Sequence, residues 1–244
     1  MVGEHGLQEE ARLLPQRMVY GYYPEVLNNP GNEKEILRSI TDSYLYKDIL
    51  MWERIKKPEK LVKLLQALAY QVGSQVSYNE LGQTISADHK TVEKYIQLLE
   101  KVFVIFRIGS LSRNLRHELK MSRKIYFYDN GIRNSVIAAF NPQEIRQDAG
   151  ALWENFIMAE RTKHIHYSKI WVNRFFWRTH EQQEIDYIEE MDGKYFAFEF
   201  KWSTKRQSRL SKTFIKAYPN HEYLVITPEN YHEFICEAIF SETK

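Results

Sequence analysis

Residues 184–202 have the sequence EIDYIEEMDGKYFAFEFKW, and this stretch decides the fold of the second half of the chain. Its central pair, Asp192-Gly193, is typical of a two-residue turn between antiparallel strands. If these two residues form the loop, Met191 pairs with Lys194 and pairing continues outward in step. The sequence therefore predicts a β-hairpin over residues 184–202.

Side-chain alternation along this hairpin separates charged from apolar residues. The register places Asp186 directly opposite Glu199, and Glu184 opposite Lys201, with Glu199 and Lys201 on one face. The other face is apolar and consists of Phe196, Phe198, Phe200 and Trp202. We therefore expect the apolar face to pack and the opposite face to gather Asp186, Glu199 and Lys201.

Directly opposed carboxylates destabilise a strand pair, so Asp186 and Glu199 need a cation, a neighbouring lysine or a shared proton. Carboxylate oxygens suit Mg²⁺ or Mn²⁺, and Lys201 would orient an attacking water or stabilise charge that develops on phosphorus. The alternative is a hairpin that faces solvent, whose acids are screened and whose Lys201 only pairs with Glu184.

The elements around the hairpin indicate an α/β module. Residues 151–165 have helical spacing, and residues 169–179 are rich in β-forming residues. After the hairpin we expect a helix through Leu210 and Phe214, the apolar strand 223–227, and a last helix beyond Pro228. The predicted order is helix, three strands, helix, strand.

Residues 58–130 predict a different unit, with three helices, a tight turn and two strands. Ser77 and Glu80 form a possible capping box, and residues 103–108 and 124–129 are strand-like. This order is typical of a winged helix-turn-helix, with residues 88–102 as recognition helix and 109–123 as the wing. Winged-helix folds also serve as protein-docking modules, and that alternative stays open.

Basic side chains nominate contacts to nucleic acid in both halves of the chain. The helix at 88–102 exposes Lys90 and Lys94, and a later cluster with no acid between Lys201 and Glu222 follows the hairpin. The alternative is that these charges lie on solvated faces. The candidate residues are Lys90, Lys94, Arg113, Arg116, Lys120, Lys205, Arg209 and Lys212.

Composition narrows the class of protein. The 244 residues are 43% apolar and 27% charged, which suffices for one or two cores, and the net charge of +2 does not by itself nominate a nucleic-acid partner. A single cysteine excludes an internal disulfide framework, and no apolar run approaches the length of a membrane helix. We expect a folded, cytoplasmic protein with no membrane partner; its oligomeric state is not predicted.

Asp186, followed thirteen residues later by Glu199-Phe200-Lys201, resembles the D…E-x-K signature of the PD-(D/E)-x-K, or restriction-endonuclease-like, nuclease superfamily. The αβββαβ order of that superfamily is the order predicted above. Its members often carry a glutamate on the preceding helix that supports the metal, and Glu154 matches it. The resemblance implies a Mg²⁺ or Mn²⁺ site at Glu154, Asp186 and Glu199, with Asp186, Glu199 and Lys201 catalytic.

A wider set of motifs is similar, in order, to the C-terminal half of a large family of prokaryotic AAA-type ATPases. That half contains a domain of uncharacterised function with a nuclease-like fold. The motifs are YYPEV at 22–26, SYLYKDI at 43–49, YFYDNG at 126–131 and EIDY at 184–187. No G-x-x-x-x-G-K-[ST] phosphate loop is present, so ATP would be bound only in a missing N-terminal domain.

The sequence thus predicts three parts: a helical lead-in at 1–57 that resembles the tail of the missing ATPase domain, a winged helix-turn-helix at 58–130, and a restriction-endonuclease-like domain at 131–244. The leading hypothesis is a DNA-binding, Mg²⁺-dependent nuclease portion of an AAA-type ATPase. The alternative is a non-catalytic adaptor that recognises DNA or protein for the ATPase, with a vestigial pocket. A transcriptional regulator is a third hypothesis, although nothing marks a dimerisation helix.

Overall fold

The structure is a computed structural model that describes residues 4–43, 57–112, 123–179, 181–203 and 209–236. Within these ranges the chain forms ten α-helices, one 3-10 helix and seven strands. None of the helices in the described ranges is long and apolar enough to span a membrane. The chain divides into two compact units, one of residues 1–107 with 125–156 and one of residues 108–124 with 157–244.

The strands form one mixed sheet in the order β1-β3-β2-β4-β5-β6-β7. β2 pairs with β4 and β6 with β7 in parallel, whereas β4, β5 and β6 form an antiparallel meander. The strands are β1 (Gln75–Val76), β2 (Ile105–Ser110), β3 (Arg123–Phe127), β4 (Asn173–Arg178), β5 (Glu184–Met191), β6 (Lys194–Phe200) and β7 (His221–Ile226). The predicted α/β class is confirmed at this level.

The first unit contains most of the helices. They are α1 (Glu4–Tyr20), α2 (Pro24–Leu27), α3 (Glu33–Ile40), α4 (Pro58–Tyr70), α5 (Tyr78–Ile85), α6 (His89–Lys101), α7 (Asn130–Val136), the 3-10 helix Gln143–Ile145, and the start of α8 (Ala149–Tyr167). Leu64, Leu68, Val92 and Ile96 pack in one core at the predicted helical spacing. The structure therefore confirms the three-helix segment at the level of its elements.

Side-chain caps set the limits of these helices. The Ser77 hydroxyl accepts a hydrogen bond from Glu80 N and begins α5, as predicted, and the Asp88 carboxylate begins α6 by accepting from Thr91 N. Asp129 caps α7 through Ile132 N. Because Asp129 serves the following helix, β3 ends at Phe127, two residues before the predicted end of that strand.

A buried polar network ties the YFYDNG motif to the end of α1. Asp129 accepts a hydrogen bond from Tyr22 N at 2.7 Å, and Asn130 donates to Met18 O at 2.9 Å and Leu152 O at 3.1 Å. Gly21 has φ +74°, and a Cβ there would lie 2.1 Å from an Asp129 carboxylate oxygen. A side chain at position 21 is excluded, so this motif is accounted for by folding of the first unit.

The second unit is built on the β5–β6 hairpin, with α9 (Lys212–Ala217) and α10 (Tyr231–Cys236). Asp192 and Gly193 have φ +53° and +79°, as a two-residue hairpin turn requires. Strand pairs run from Met191–Lys194 to Tyr187–Phe198, in the predicted register. The hairpin prediction is confirmed over these pairs.

Both faces of the hairpin carry apolar contacts, which corrects the expectation of one apolar and one acidic face. Phe198 and Tyr187 stack on one face, beside Phe234 of α10. On the other face Ala197 and Ile188 share a core cluster with Phe214 of α9. The sheet is thus sandwiched within this unit.

Two groups of predictions stay untested by the structure. The three-part division at residues 57 and 130 stays a prediction, as do the winged-helix and restriction-endonuclease-like topologies. The predicted helical lead-in at 1–57 is described only for residues 4–43 and 57, and most of the predicted wing, residues 113–122, lies outside the described ranges.

Candidate functional site

Asp186 lies at an irregularity in β5. Phe175 of β4 pairs with Ile188, but Trp177 pairs with Ile185, so three steps on β5 face two on β4. This is a β-bulge, a feature that re-aims side chains and is frequent beside active sites. Beyond the last β5–β6 pair, Asp186 Oδ2 accepts a hydrogen bond from Phe200 N at 2.8 Å. The bulge therefore turns the Asp186 carboxylate toward the end of β6.

Glu199 in β6 and Lys201 directly after β6 flank that bond. Lys201 Nζ donates to Glu199 Oε1 at 2.6 Å, and the two side chains are 31% and 15% exposed. Burial tends to lower the pKa of Lys201, but the hydrogen bond that Lys201 donates to Glu199 and the negative charges of Glu199 and Asp186 outweigh it and raise the pKa. Lys201 is therefore a cation at neutral pH. The structure brings the three predicted catalytic residues together.

Glu184 does not pair with Lys201, which corrects the alternative interpretation of the hairpin. Its carboxylate binds Lys124 Nζ at 2.8 Å and lies 3.8 Å from Arg178. Lys124 is 3% exposed, and its ammonium also lies over the Phe176 ring. Lys124 is distant in sequence, which is why hairpin register alone could not find this partner.

Glu154 belongs to the first unit and is half-buried there. Its Oε1 accepts a hydrogen bond from the Tyr126 hydroxyl at 2.6 Å, and a Cβ on Gly73 would lie 3.3 Å from its carboxyl carbon. Across the described ranges, no group of three or more His, Cys, Asp or Glu side chains is placed to hold a metal ion. The predicted metal-supporting role of Glu154 stays a prediction.

The predicted nucleic-acid contacts fall into two sets. Lys90 and Lys94 are exposed on α6, and Arg209 and Lys212 are exposed at the start of α9. The remaining four, Arg113, Arg116, Lys120 and Lys205, lie outside the described residues. Among the described residues, each unit therefore exposes two of the predicted nucleic-acid contacts to solvent.

Sequence reasoning missed a second ion pair on the same hairpin. Arg161 of α8 makes two 2.8 Å bonds to the two Glu189 carboxylate oxygens and a third to Phe234 O, and both ionic side chains are fully buried. Beside them, burial and the charge of Glu189 raise the pKa of Tyr187 well above its ordinary value. The signal available in the sequence was the hairpin register, which pairs Glu189 with Phe196 on the face expected to be apolar.

Comparison with known protein families assigns the two halves of the chain to two different domain families. Residues 11–143 match the model of a family described as a domain of unknown function, DUF8612. The chain belongs to this family. Beyond the DUF8612 region, residues 149–240 match a second domain of unknown function, DUF4143, which confirms the expected domain of uncharacterised function in the second half.

Curated relatives of this DUF8612 chain are uncharacterized proteins of bacteria. One from Mycobacterium tuberculosis is 24% identical over 136 residues, which cover 55% of this chain and 30% of the relative. Another from Haemophilus influenzae is 29% identical over 124 residues, covering 48% of this chain and 31% of the relative. The matched segment thus spans about a third of these relatives. No solved structure matches the chain with significance.

Proposed function

We propose that the second unit carries a metal-dependent phosphodiesterase site that acts on nucleic acid. The observation that carries the proposal is the convergence of Asp186, Glu199 and Lys201 at the end of the β5–β6 ladder, beside a β-bulge. Two carboxylates and a cation at one accessible position are the groups that phosphoryl transfer uses to place charge around phosphorus.

The two carboxylates at this position are oxygen donors of the kind that a divalent cation needs. Mg²⁺ is commonly held by one or two protein carboxylates together with water and substrate phosphate. The Asp186 and Glu199 carboxylates therefore fit Mg²⁺ or Mn²⁺. Metals that prefer thiolate ligands are disfavoured, because both donors are oxygen atoms. When bound, such a cation supplies Lewis-acid neutralisation of the phosphate and a lowered pKa of water.

The residues of the chain itself have separable roles in this proposal. Lys201 is protonated, so it cannot accept a proton from water; it orients Glu199 through their hydrogen bond and presents positive charge to a phosphate oxygen. Asp186 is fixed by the Phe200 N–H, which limits its rotation. Orientation of both carboxylates before substrate arrives reduces the reorganisation cost of the reaction.

The wider context follows from the sequence resemblance. We place this site in a PD-(D/E)-x-K-like fold, with a winged helix before it and an AAA-type ATPase domain in the longer protein that would bind ATP. DNA is the proposed nucleic acid, with Lys90, Lys94, Arg209 and Lys212 as phosphate contacts, and the cytoplasm is the proposed compartment. The matched segment covers about 30% of the relative's length, so that relative has room for additional domains of this kind.

A non-catalytic adaptor is the second candidate function, and one observation favours it. Lys201 already neutralises Glu199, and the described residues supply no third acidic or histidine ligand nearby. In that case the hairpin acids would be a stable ion-paired surface, and the chain would recognise DNA or protein for the ATPase without cutting.

A cleavage assay separates the two candidates. Wild-type protein is incubated with single- and double-stranded DNA and RNA in Mn²⁺, beside Asp186→Asn and Lys201→Ala. Asp192→Asn is the matched control, because it removes a carboxylate from the same hairpin and asparagine tolerates the left-handed turn position.

The catalytic proposal predicts cleavage by wild type and Asp192→Asn, and its loss in Asp186→Asn and Lys201→Ala. Cleavage that survives in Asp186→Asn would identify a contaminating nuclease or a different site. If no cleavage occurs although DNA binds, the adaptor is the better description.

A further inference from the structure

The segment between α8 and β4 exposes two aromatic rings in the second unit. Tyr167, the last residue of α8, is 78% exposed, and Trp171, two residues before β4, is 90% exposed. Trp171 is the most exposed of the large hydrophobic residues in the described ranges. Exposed apolar groups that recur on one segment mark interaction sites, whereas single scattered ones need no explanation.

Backbone hydrogen bonds hold this segment in a fixed conformation. Ile170 N donates to Ile165 O at 3.0 Å and Lys169 N to His166 O at 3.3 Å, the pattern of a Schellman motif at the end of a helix. Lys169 occupies the left-handed position of the motif, with φ +54°, where glycine is usual. Ile165 is buried, so the turn is anchored in the fold. Ordered backbone on both sides of the turn reduces the entropy cost of binding through the two rings.

The charge of the segment limits the class of partner. Residues 163–174 have the sequence KHIHYSKIWVNR, with three basic residues, two histidines and no acid. Lys163 is paired with an acid of its own helix, and Arg174 donates to Thr162 Oγ1 at 3.0 Å. Lys169, between the two rings in sequence, is exposed and forms no ion pair with any residue of the described ranges. Its charge is therefore available to an anionic partner.

We propose that Trp171 and Tyr167 are stacking platforms for the bases of single-stranded nucleic acid, with Lys169 beside its phosphates. Proteins that bind single strands combine aromatic rings, on which successive bases stack, with cations that follow the backbone. In a duplex the base faces are covered by their neighbours, so exposed rings favour an unpaired strand. A second copy docked through this segment would place the same cations against each other, which is unfavourable.

The stacking platform and the Asp186 site lie toward opposite ends of β5. Asn173, two residues after Trp171, pairs with Glu190, which is four residues along β5 from Asp186. At roughly 3.3 Å per residue this separation is about 13 Å, or about four nucleotides at the 3.4 Å spacing of a stacked strand. The inference thus deepens the proposed function by giving its substrate an unpaired segment, and it rests on that function only for nucleic acid as ligand.

Fluorescence anisotropy of a labelled oligothymidylate of about 12 nucleotides measures this binding, in EDTA so that no metal-dependent cleavage occurs. Trp171→Leu keeps an apolar side chain but removes the ring, and loss of one base stack should weaken binding about five- to a hundredfold. Trp171→Phe keeps a ring and should retain most of the affinity. Tyr70→Leu is the matched control, because Tyr70 is an aromatic residue of the first unit that is 73% exposed.

Lys169→Gly tests the cation separately from the rings. Glycine suits the left-handed position, so we expect this variant to fold as stably as wild type. Loss of one phosphate contact should reduce the slope of log affinity against log salt by about 0.7, the value for a single strand. An unchanged slope would overturn the role of Lys169.

The expected result is that Trp171→Leu binds more weakly, that Trp171→Phe and Tyr70→Leu bind nearly as wild type, and that all melt alike because the replaced rings are exposed. A wild type that does not bind the oligonucleotide, or a Trp171→Leu variant that binds as tightly as wild type, would overturn the inference. Competition by blunt duplex DNA as strong as by unlabelled oligothymidylate would also overturn it. A Trp171-dependent dimer in sedimentation, without oligonucleotide binding, would identify a second copy as the occupant instead.

This binding assay and the cleavage assay fail independently. Trp171-dependent binding by a protein that cuts nothing would refute only the proposed catalytic site. Cleavage that depends on Asp186, with oligonucleotide binding unchanged in Trp171→Leu, would refute only the stacking platform.

Discussion

Glu189 and Glu199 lie on the two strands of one hairpin, and each binds a cation, yet the two pairs differ in almost every physical respect. Glu189 and Arg161 are fully buried and joined by two 2.8 Å bonds. Glu199 and Lys201 are 15% and 31% exposed and share one bond. If one partner of the Arg161–Glu189 pair were removed, the remaining buried charge would be costly to the free energy of folding. The Glu199–Lys201 pair is partly exposed, so water can solvate its charges.

The difference separates a structural ion pair from a candidate functional one. Arg161 connects α8, β5 and α10, because it bonds Glu189 and the Phe234 carbonyl and its guanidinium lies over the Phe234 ring. The Lys201 pair joins Glu199 of β6 to a residue directly after that strand, so its ion pair does not bridge two elements. A ligand can therefore rearrange the Glu199–Lys201 pair without disturbing the fold.

Removal of Arg161 should have the largest effect on stability. Arg161→Ala leaves the Glu189 carboxylate buried without its partner, so we expect a loss of about 3–5 kcal/mol in the free energy of unfolding. Urea unfolding followed by circular dichroism measures it. A loss below about 1 kcal/mol, the range of exposed pairs, would contradict the structural role.

A double variant sharpens that result. Arg161→Met with Glu189→Leu removes both charges together, and apolar replacements of buried ion pairs are often neutral or stabilising. We expect the double variant to recover most of the stability lost in Arg161→Ala. A double variant as unstable as the single one would show that the Phe234 contacts of Arg161, not its charge, dominate.

Glu184 is an intermediate case, because only its partner is buried. Glu184→Ala removes the carboxylate that binds Lys124, which is 3% exposed, and we expect a loss of about 1–3 kcal/mol. Thermal melting compares it with Glu181→Ala, an exposed control three residues before the start of β5. Equal melting temperatures for the two variants would show that the Glu184–Lys124 ion pair does not stabilise the fold.

Tyr187, beside the buried ion pair, makes the stability of the fold sensitive to high pH. Its folded pKa is raised well above 10.0, by burial and then by the charge of Glu189, so the folded state retains a proton that the unfolded state loses. Stability is therefore lost as the pH rises above the unfolded pKa, by at most about 1.4 kcal/mol per pH unit. Tyr187→Phe should reduce this slope in unfolding curves between pH 9 and 11, whereas an unchanged slope would point to other tyrosines.

The exposed pair should matter least for stability. Lys201→Met keeps an unbranched side chain of similar size but removes the bond to Glu199, and exposed pairs contribute about 0–1 kcal/mol. We expect a melting temperature close to wild type. A loss comparable to that of Arg161→Ala would erase the distinction between the two pairs.

Local sequence signals predicted much of the hairpin. Asp192-Gly193 identified the turn, and the register derived from it holds for the pairs from Met191–Lys194 to Tyr187–Phe198. The capping residue Ser77 likewise marked the start of α5, and the helix predicted from residue 88 begins there, where Asp88 caps α6. These features depend on neighbours within a few residues, which is why sequence alone was sufficient.

The remainder depended on contacts that are remote in sequence. The bulge beside Asp186 is a feature of how β5 pairs with β4, and Lys124 reaches Glu184 from a separate strand, β3. The bond from Tyr126 to Glu154 similarly joins a strand to a helix. No spacing rule encodes such partners, so sequence reasoning nominated the site residues but not how each is held.

Calorimetric titration of Mn²⁺ into wild type, Asp186→Asn and Asp192→Asn distinguishes a metal site on the hairpin from an ion-paired surface. We expect one class of binding to wild type and Asp192→Asn, and a loss of that binding in Asp186→Asn, with all three proteins equally folded. Binding that is absent from wild type, or unchanged in Asp186→Asn, would contradict a metal-dependent site at the end of the hairpin.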